Sequence, residues 1–290
     1  MPKITPHLWF DREAVDAAQF YTSVFDDSKI HFTTTLHDTP SGDAEMVGFQ
    51  IMGYDFMAIS AGPFFTINPS ISFHARCRTV EEVEHVWAKL SPGGTALMEL
   101  GEYPFSQRYG WIQDKYGVSW QVIHTEGDFH QRIMPALMFV GDQCGKAEEA
   151  IGFYASVFKD AKAEVLARYV NGEEPDKPGT VKYAQFVLDA QEFGAMDSAW
   201  QHDFGFNEAV SFIVNCKDQD EIDYFWDLLS AVPEAEQCGW VKDRFGVSWQ
   251  ITPANMGELI GRNPVKTTPA MLEMKKIIIA VLEKAAEEED

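Results

Sequence analysis

Hydrophobic and polar positions along the chain follow the same order four times. Each time a short apolar strand precedes a helix with apolar residues three or four positions apart, and strands of alternating pattern follow. The strands predicted for the first unit lie at residues 4–10, 30–36, 45–51 and 56–60, and those for the second at 70–76, 95–100, 109–113 and 118–123. Those for the third lie at 136–139, 163–168, 183–188 and 192–197, and the fourth unit begins with the strand 209–216. Four β-α-β-β-β units predict antiparallel sheets in an α+β fold rather than a doubly wound parallel sheet.

One segment closes both the second and the fourth unit. Residues 110–121 return as residues 239–250, and eight of the twelve positions are identical, so the chain contains an internal duplication. In each copy an Asp-Lys-Tyr-Gly or Asp-Arg-Phe-Gly turn precedes a strand. Alternation on that strand separates Gln121 and Gln250 from the neighbouring tryptophans, which predicts that each amide lies on a wet surface or in a polar cavity.

The duplication divides the chain into two halves and a tail. The predicted domains are residues 1–126 and 133–258, and a helical tail occupies residues 263–290. Four similar units can pair in more than one way, so pairing across the halves stays open. In the tail, apolar residues of the stretch 271–284 lie at helical spacing. That pattern predicts one amphipathic helix that docks on its own protein or on a partner.

Composition restricts the classes of function. The 290 residues carry a formal net charge of −22, which argues against nucleic acid and anionic membranes as partners, since both require basic patches. No apolar stretch is long enough to span a bilayer, and the first ten residues have no signal-peptide pattern. The cytoplasm is therefore the expected compartment. The four cysteines form no CxxC pair, which favours structural thiols.

The four units and the repeated segment Gly-Trp-Ile/Val-x-Asp-Lys/Arg-Tyr/Phe-Gly-Val-Ser-Trp-Gln resemble the vicinal oxygen chelate superfamily of glyoxalase I, extradiol dioxygenases and bleomycin-resistance proteins. The segment is most similar to the PhnB-like branch, often labelled 3-demethylubiquinone-9 3-methyltransferase-like. The resemblance covers residues 3–125 and 133–254 and implies two glyoxalase-like domains. In single-domain relatives two chains usually associate, so it also implies an internal pseudo-dimer. Further association into a homodimer stays open.

The label of this branch implies a methyltransferase. An enzyme that uses S-adenosylmethionine normally has a glycine-rich loop between a strand and a helix of an open α/β sheet. The sequence contains no GxGxxG or GxGxG stretch. The residues therefore argue against methyl transfer.

The resemblance implies that metal-dependent members of the superfamily bind a metal with four side chains per domain that point into the cavity. These come from the first, fourth, fifth and eighth strands. The matching positions are His7, Ser60, Ser72 and Gln121 in the first half and Ala136, Asp197, Ser211 and Gln250 in the second. Serine and glutamine are weak ligands for a divalent metal. His7 and Asp197 are the weak metal candidates, His74 could replace Ser72, and no cofactor is evident.

The resemblance also implies a cavity whose inward residues would bind a small molecule. The candidates are His7, Trp9, Ser60, Ser72, His74 and Gln121 in the first half, and Met138, Asp197, Ser211 and Gln250 in the second. Filling of the core by the same residues is the alternative to a ligand site.

Three functions follow from these observations. The first is a protein that binds a small organic molecule in a cavity with a degenerate metal site. The second is a metal-dependent enzyme of the glyoxalase or dioxygenase type, which would use His7, His74 and Asp197. The third is an interaction protein whose tail helix binds a second protein.

Overall fold

The computed structural model describes residues 2–288, apart from the side chain of Asp38. Units 1 and 2 form the first half. Unit 1 consists of β1 (Ile4–Phe10), α1 (Ala14–Val24), β2 (Lys29–Thr39), β3 (Gly42–Ile51) and β4 (Tyr54–Ser60). Unit 2 consists of β5 (Ile71–Cys77), α2 (Val80–Leu90), β6 (Thr95–Tyr103), β7 (Ser106–Gln113) and β8 (Ser119–His124).

Units 3 and 4 form the second half. Unit 3 consists of β9 (Ile133–Phe139), α3 (Ala147–Val157), β10 (Lys162–Arg168), β11 (Val181–Leu188) and β12 (Gln191–Asp197). Unit 4 consists of β13 (Val210–Cys216), α4 (Gln219–Leu229), β14 (Trp240–Lys242) and β15 (Ser248–Pro253). Among the described residues, a 3-10 turn at Pro233–Ala235 stands where the other units have a further strand.

The strands form two mixed sheets, and each sheet crosses between the halves. The first sheet has the order β14-β15-β13-β1-β4-β3-β2 and joins units 1 and 4. The second sheet has the order β10-β11-β12-β9-β5-β8-β7-β6 and joins units 3 and 2. The predicted α+β fold of four units in two glyoxalase-like domains is confirmed, and the sheets do not coincide with the sequence halves.

Antiparallel pairs of first strands form the two seams between units. β1 pairs with β13, which places His7 opposite Ser211, and β5 pairs with β9, which places Ser72 opposite Ala136. A side chain also ties the sheets together, because the Gln191 amide accepts from the backbone N–H of Ile4 at 2.8 Å and donates to its carbonyl at 2.7 Å.

The buried hydrophobic residues form one contiguous cluster, and the aromatic contacts of the repeated tryptophans within it join units of the same half. Alternation directs one side of every sheet toward the helices, and the two repeated tryptophans, Trp120 and Trp249, are fully buried there. Trp120 of unit 2 contacts Tyr21 of unit 1 with ring centroids 5.2 Å apart, and Trp249 of unit 4 contacts Tyr154 of unit 3 at 5.5 Å. The opposite face of each sheet therefore combines residues from both halves.

The described residues from Met256 onward, called the tail from here on, form three helices, α5 (Met256–Arg262), α6 (Pro264–Leu272) and α7 (Ile279–Glu287). Helical structure thus begins before the predicted tail at 263–290. The predicted single helix across 271–284 is wrong, because the chain between α6 and α7 binds the strand region before β14 instead. The carbonyls of Met274 and Lys275 accept from the amides of Cys238 and Gly239 at 2.8 and 2.7 Å. Residues 289–290 of the predicted tail lie outside the described residues. None of the helices within 2–288 is long and apolar enough to cross a membrane.

Candidate functional site

The second sheet forms a cleft of about 1920 Å³ on the face away from the helices. Residues from units 2 and 3 line this cleft. Alternation on β5 places Phe73 in the core and directs His74 and Arg76 into the cleft. The cleft is larger than the roughly 300–1,000 Å³ of a typical small-molecule pocket. It can therefore hold a bulky organic molecule.

Three polar residues form a hydrogen-bonded chain that runs from the cleft floor at Tyr109 and Gln121 to the buried Ser72. The Gln121 amide nitrogen donates to the Ser72 hydroxyl at 2.8 Å, and the Tyr109 hydroxyl donates to the Gln121 amide oxygen at 2.7 Å. Burial raises the pKa of Tyr109, so its hydroxyl stays protonated at neutral pH. The predicted cavity residues Ser72 and Gln121 thus occur together, and each holds the other in one orientation.

His74 lies beside this chain with 5% of its surface exposed. Its Nε2 atom has no hydrogen-bond partner among residues 2–288, and its ring lies parallel to that of Tyr183 with centroids 6.0 Å apart. Burial, followed by the charge of Arg76, lowers the His74 pKa to about 3. The imidazole is therefore neutral at pH 7, and a neutral ring can donate from one nitrogen and accept at the other.

The positive charges at the cleft are committed to other partners. Arg76 pairs with Glu192 at 2.5 Å and donates to the carbonyl of Gln131 at 3.2 Å. Two further cations of the lining are also paired, Lys182 with Glu173 and Arg168 with Glu148. Four acidic residues of the lining have no ion-pair partner within the described chain, namely Glu102, Glu126, Asp128 and Asp197. The uncompensated charge at the cleft is negative.

The rim of the same cleft is apolar and exposed. Large hydrophobic side chains that remain between 40% and 62% exposed surround it, namely Leu97, Phe105, Leu166, Val170 and Trp200. Scattered single apolar residues are ordinary on a protein surface, whereas a group of them around one cleft is unusual. The exposed apolar rim therefore surrounds a polar floor.

The first sheet also has a concave face on the side away from the helices, and an aromatic side chain covers it. His7 lies opposite Ser211, and the Gln250 amide nitrogen donates to the Ser211 hydroxyl at 3.0 Å. His7 is 3% exposed, its Nδ1 atom has no partner among residues 2–288, and burial lowers its pKa to about 3. The indole of Trp240 meets His7 edge-on at 5.6 Å, and Trp9 lies 6.1 Å from Trp240. The Trp240 indole therefore covers His7.

Alternation on β4 and β12 turns the side chains of Ser60 and Asp197 toward the helices, although Asp197 also borders the large cleft at the end of β12. The Ser60 hydroxyl accepts from the amide of Ala14 at 3.1 Å and caps α1. Asp197 accepts from three amides, of Gly145 at 2.8 Å, Val181 at 2.9 Å and Ala147 at 3.1 Å. Asp197 therefore caps α3, and its oxygens serve the backbone although it borders the large cleft.

The pairing of units changes which predicted residues meet. His7 and Trp9 join Ser211 and Gln250 on the first sheet, whereas Ser72, His74 and Gln121 join Ala136 and Met138 on the second. His7 and Asp197 still belong to different sheets. Neither face offers a set of strong ligands, and residues 2–288 contain no group of three His, Cys, Asp or Glu side chains that could hold a metal. The donors do not fit the metal that the superfamily implies.

Several residues of the large cleft were not predicted from the sequence. Tyr109 lies opposite Ile123 on the neighbouring strand, two positions from Gln121, and so faces the cleft. Alternation from Gln121 across the β7–β8 hairpin could have located it. Tyr183 and Glu192 come from unit 3, and only the pairing of units 2 and 3 brings them to His74 and Arg76.

Comparison with known proteins places the chain by its sequence. The model of the family described as 3-demethylubiquinone-9 3-methyltransferase matches residues 2–123 and again residues 131–252. The chain belongs to this family. The predicted resemblance to the PhnB-like branch and the predicted tandem duplication are confirmed. A search of curated proteins found no match.

Solved structures add the fold. A "Putative 3-demethylubiquinone-9 3-methyltransferase, PhnB protein" from Bacillus cereus is 39% identical over 42% of this chain and 99% of that chain, with a TM-score of 0.40. A protein from Staphylococcus aureus is 31% identical over 43% of this chain and 98% of that chain, with a TM-score of 0.19. Glyoxalase I from Zea mays is 13% identical over 89% of this chain and 96% of that chain, with a TM-score of 0.53. The glyoxalase likeness supports the fold alone.

The two buried histidines predict how stability depends on pH. In the unfolded chain a histidine titrates near 6.5, whereas in the folded chain each stays neutral to about pH 3. Below pH 6.5 the unfolded chain takes up the proton first, so stability falls as pH falls. Between pH 7 and 5.5 we expect His74→Phe to lose about 1.3 kcal/mol less stability than the wild type.

Urea unfolding followed by fluorescence at the two pH values measures this difference. His85, on the exposed face of α2, provides the matched histidine-to-phenylalanine control. Equal losses for wild type and His74→Phe would contradict the neutral state of His74.

Proposed function

We propose that this member of the family binds a bulky aromatic organic molecule in the cleft of the second sheet. The observation that carries the proposal is the buried, unpaired Nε2 atom of His74 next to an ordered Gln121 amide. An unpaired polar atom in a protein interior costs free energy unless a ligand or water pairs with it. A carbonyl, hydroxyl or amine of the ligand would supply that partner.

The charges and rings around the cleft support one class of ligand. The uncompensated acids at the cleft and the net charge of −22 disfavour an anion. Tyr103, Phe105 and Tyr109 form a cluster of rings at the cleft with centroids 5.0 to 5.6 Å apart. Aromatic faces favour flat apolar molecules and cations. We therefore expect a neutral or cationic aromatic ligand.

Binding of an environment-sensitive dye tests this proposal. Prodan is a neutral naphthyl ketone whose carbonyl can accept from a neutral imidazole. We expect saturable binding by the wild type, and about tenfold weaker binding by His74→Phe, which keeps an aromatic ring but loses the polar atom. His85→Phe is the control and should bind as the wild type does. An anionic naphthalene sulfonate should bind more weakly than prodan.

Two results would oppose the proposal. Absence of saturable prodan binding would argue against an aromatic site in this cleft. Unchanged affinity in His74→Phe would place the dye elsewhere. Titration with S-adenosylmethionine in the same buffer examines the activity that the family description names. We expect no saturable binding of S-adenosylmethionine. Both sheets are mixed, and the sequence has no GxGxxG or GxGxG stretch.

A further inference from the structure

The repeated segment adopts two different side-chain arrangements in one chain. In the first copy, the Trp111 indole N–H donates to the hydroxyl of Ser119 at 2.7 Å. The matching pair in the second copy is Trp240 and Ser248. There the Ser248 hydroxyl is 1% exposed and has no partner within residues 2–288. Trp240 instead packs edge-on against His7.

The face of the first sheet beneath Trp240 carries the same kinds of polar residues as the large cleft. Gln250 and Ser211 reproduce the bonded pair of Gln121 and Ser72. The Nδ1 atom of His7 and the Ser248 hydroxyl are both buried there without a partner in the described part of the chain. Two buried polar atoms without hydrogen bonds on one face indicate that a different arrangement of side chains would pair them.

The C-terminal helices hold this face closed. Ile260 of α5 packs with Trp9 and Ile59 against a small cluster formed by Leu36, Ala44 and Ala61. The buried side chain of Ile277 lies against Gly239, the residue before Trp240. Because the 274–275 carbonyls also bind the amides of 238–239, the tail is attached directly to the strand that carries Trp240.

We propose that the concave face of the first sheet is a second binding site for the same class of aromatic molecule, closed by Trp240 and the C-terminal helices. Opening moves the Trp240 indole to Ser248, into the arrangement that Trp111 and Ser119 show, and uncovers His7. The site then offers His7 and the Gln250–Ser211 pair to a ligand, as the large cleft offers His74 and Gln121. The ligand class rests on the function proposed above, whereas the opening does not.

Opening is measured without any ligand. Ile260→Asp in the full-length chain introduces a charge where α5 meets the sheet, and Val265→Asp adds the same charge at an exposed position of α6. In a Cys144→Ser background, Cys238 is the only half-buried thiol, and its sulfur lies 3.7 Å from the Leu272 carbonyl of the tail. We expect a disulfide reagent to label Cys238 on the order of tenfold faster in Ile260→Asp than in Val265→Asp.

The position of Trp240 is followed by fluorine NMR with 5-fluorotryptophan, and Trp240→Phe assigns the signal. We expect Ile260→Asp to shift the Trp240 signal, and we expect Ser248→Ala in the same variant to reverse much of that shift. Loss of the Ser248 hydroxyl removes the acceptor of the open position only. Faster labelling with an unmoved Trp240 signal would overturn the proposed opening.

The number of prodan molecules bound then tests the site itself. We expect one equivalent for the wild type and Val265→Asp, and two for Ile260→Asp. Trp240→Ala is the second route to the same result, since it removes the closing ring and keeps the tail intact. If neither variant binds more dye than the wild type while Cys238 reports an opened tail, the second site is refuted. If no protein binds prodan but the Trp240 signal moves, the function proposed for the large cleft fails and the opening stands.

Discussion

Replacement of Asp243 by alanine is expected to lower the free energy of unfolding by about 4 kcal/mol, an unusually large effect for one substitution. Asp243 is the aspartate of the second repeated segment and is 1% exposed. One carboxylate oxygen accepts from the amides of Phe245 and Val247 at 2.9 and 3.1 Å. The other accepts from the Trp249 indole at 2.9 Å and the Tyr154 hydroxyl at 2.8 Å.

Alanine leaves these four buried donors without an acceptor, and Tyr154 and Trp249 lie in the core that joins units 3 and 4. The first repeated segment offers an internal control. Asp114 accepts from the amides of Tyr116 and Val118 and from the Trp120 indole. The Tyr21 hydroxyl lies near this carboxylate, but in a weaker geometry than the 2.8 Å bond from Tyr154 to Asp243. Asp114→Ala should therefore cost about 1 kcal/mol less than Asp243→Ala.

Urea unfolding of both variants at pH 7 measures the two losses. Asp243→Asn keeps the shape of the side chain and one acceptor oxygen, so it should lie between the wild type and Asp243→Ala. A loss below about 1 kcal/mol for Asp243→Ala would mean that water replaces the carboxylate in a relaxed turn, and the segment would then owe its stability to packing alone.

Cleavage of the chain between its halves is expected to leave the halves associated. The linker around residues 126–128 is exposed, so a thrombin site can be inserted between Gly127 and Asp128. Each sheet takes strands from both halves through the β1–β13 and β5–β9 seams. Separation would break both seams and expose four strand edges, which is unfavourable. We expect a dissociation constant below about 1 μM for the two fragments.

Size-exclusion chromatography of the cleaved protein tests this expectation. One peak at the elution volume of the uncleaved chain, containing both fragments, is the expected result, and urea should separate them. The contact of Lys3 with Glu221 at 2.6 Å gives a mild probe of the first seam, and Lys3→Ala should weaken the association only slightly because such pairs contribute little. Two separate folded fragments would mean that units pair within each half once the linker is cut.

Cleavage also bears on the binding site, because the large cleft combines His74 and Gln121 of the first half with Tyr183 and Glu192 of the second. Because Glu126 and Asp128 beside the insertion also line the cleft, the reference is the uncleaved insertion variant, and the cleaved but associated protein should bind prodan as that variant does. Both faces of this chain combine the two halves, and they differ in what covers them. The described part of the tail packs on the first sheet.

Much of the molecule was predictable from local patterns. The periods of two and 3.6 residues located the strands and helices of four units, and the repeated segment located the turns that Asp114 and Asp243 organise. The prediction that Gln121 and Gln250 face a polar environment away from the tryptophans agrees with the structure, since each amide bonds a serine on the concave side. These features depend on residues close together in the chain, where alternation and turn chemistry act directly.

Tertiary structure decided the rest. All four units present similar apolar faces, so local pattern could not tell whether unit 1 pairs with unit 2 or unit 4. Ser60 and Asp197 were predicted as ligand candidates, but they cap helices. On a strand with a period of two, their side chains face the helix side of the sheet rather than the concave side. The interrupted tail and the position of Trp240 likewise depend on contacts between residues distant in the chain. The sequence alone determined the repeated units and their chemistry, whereas packing between units determined which residues meet at each face.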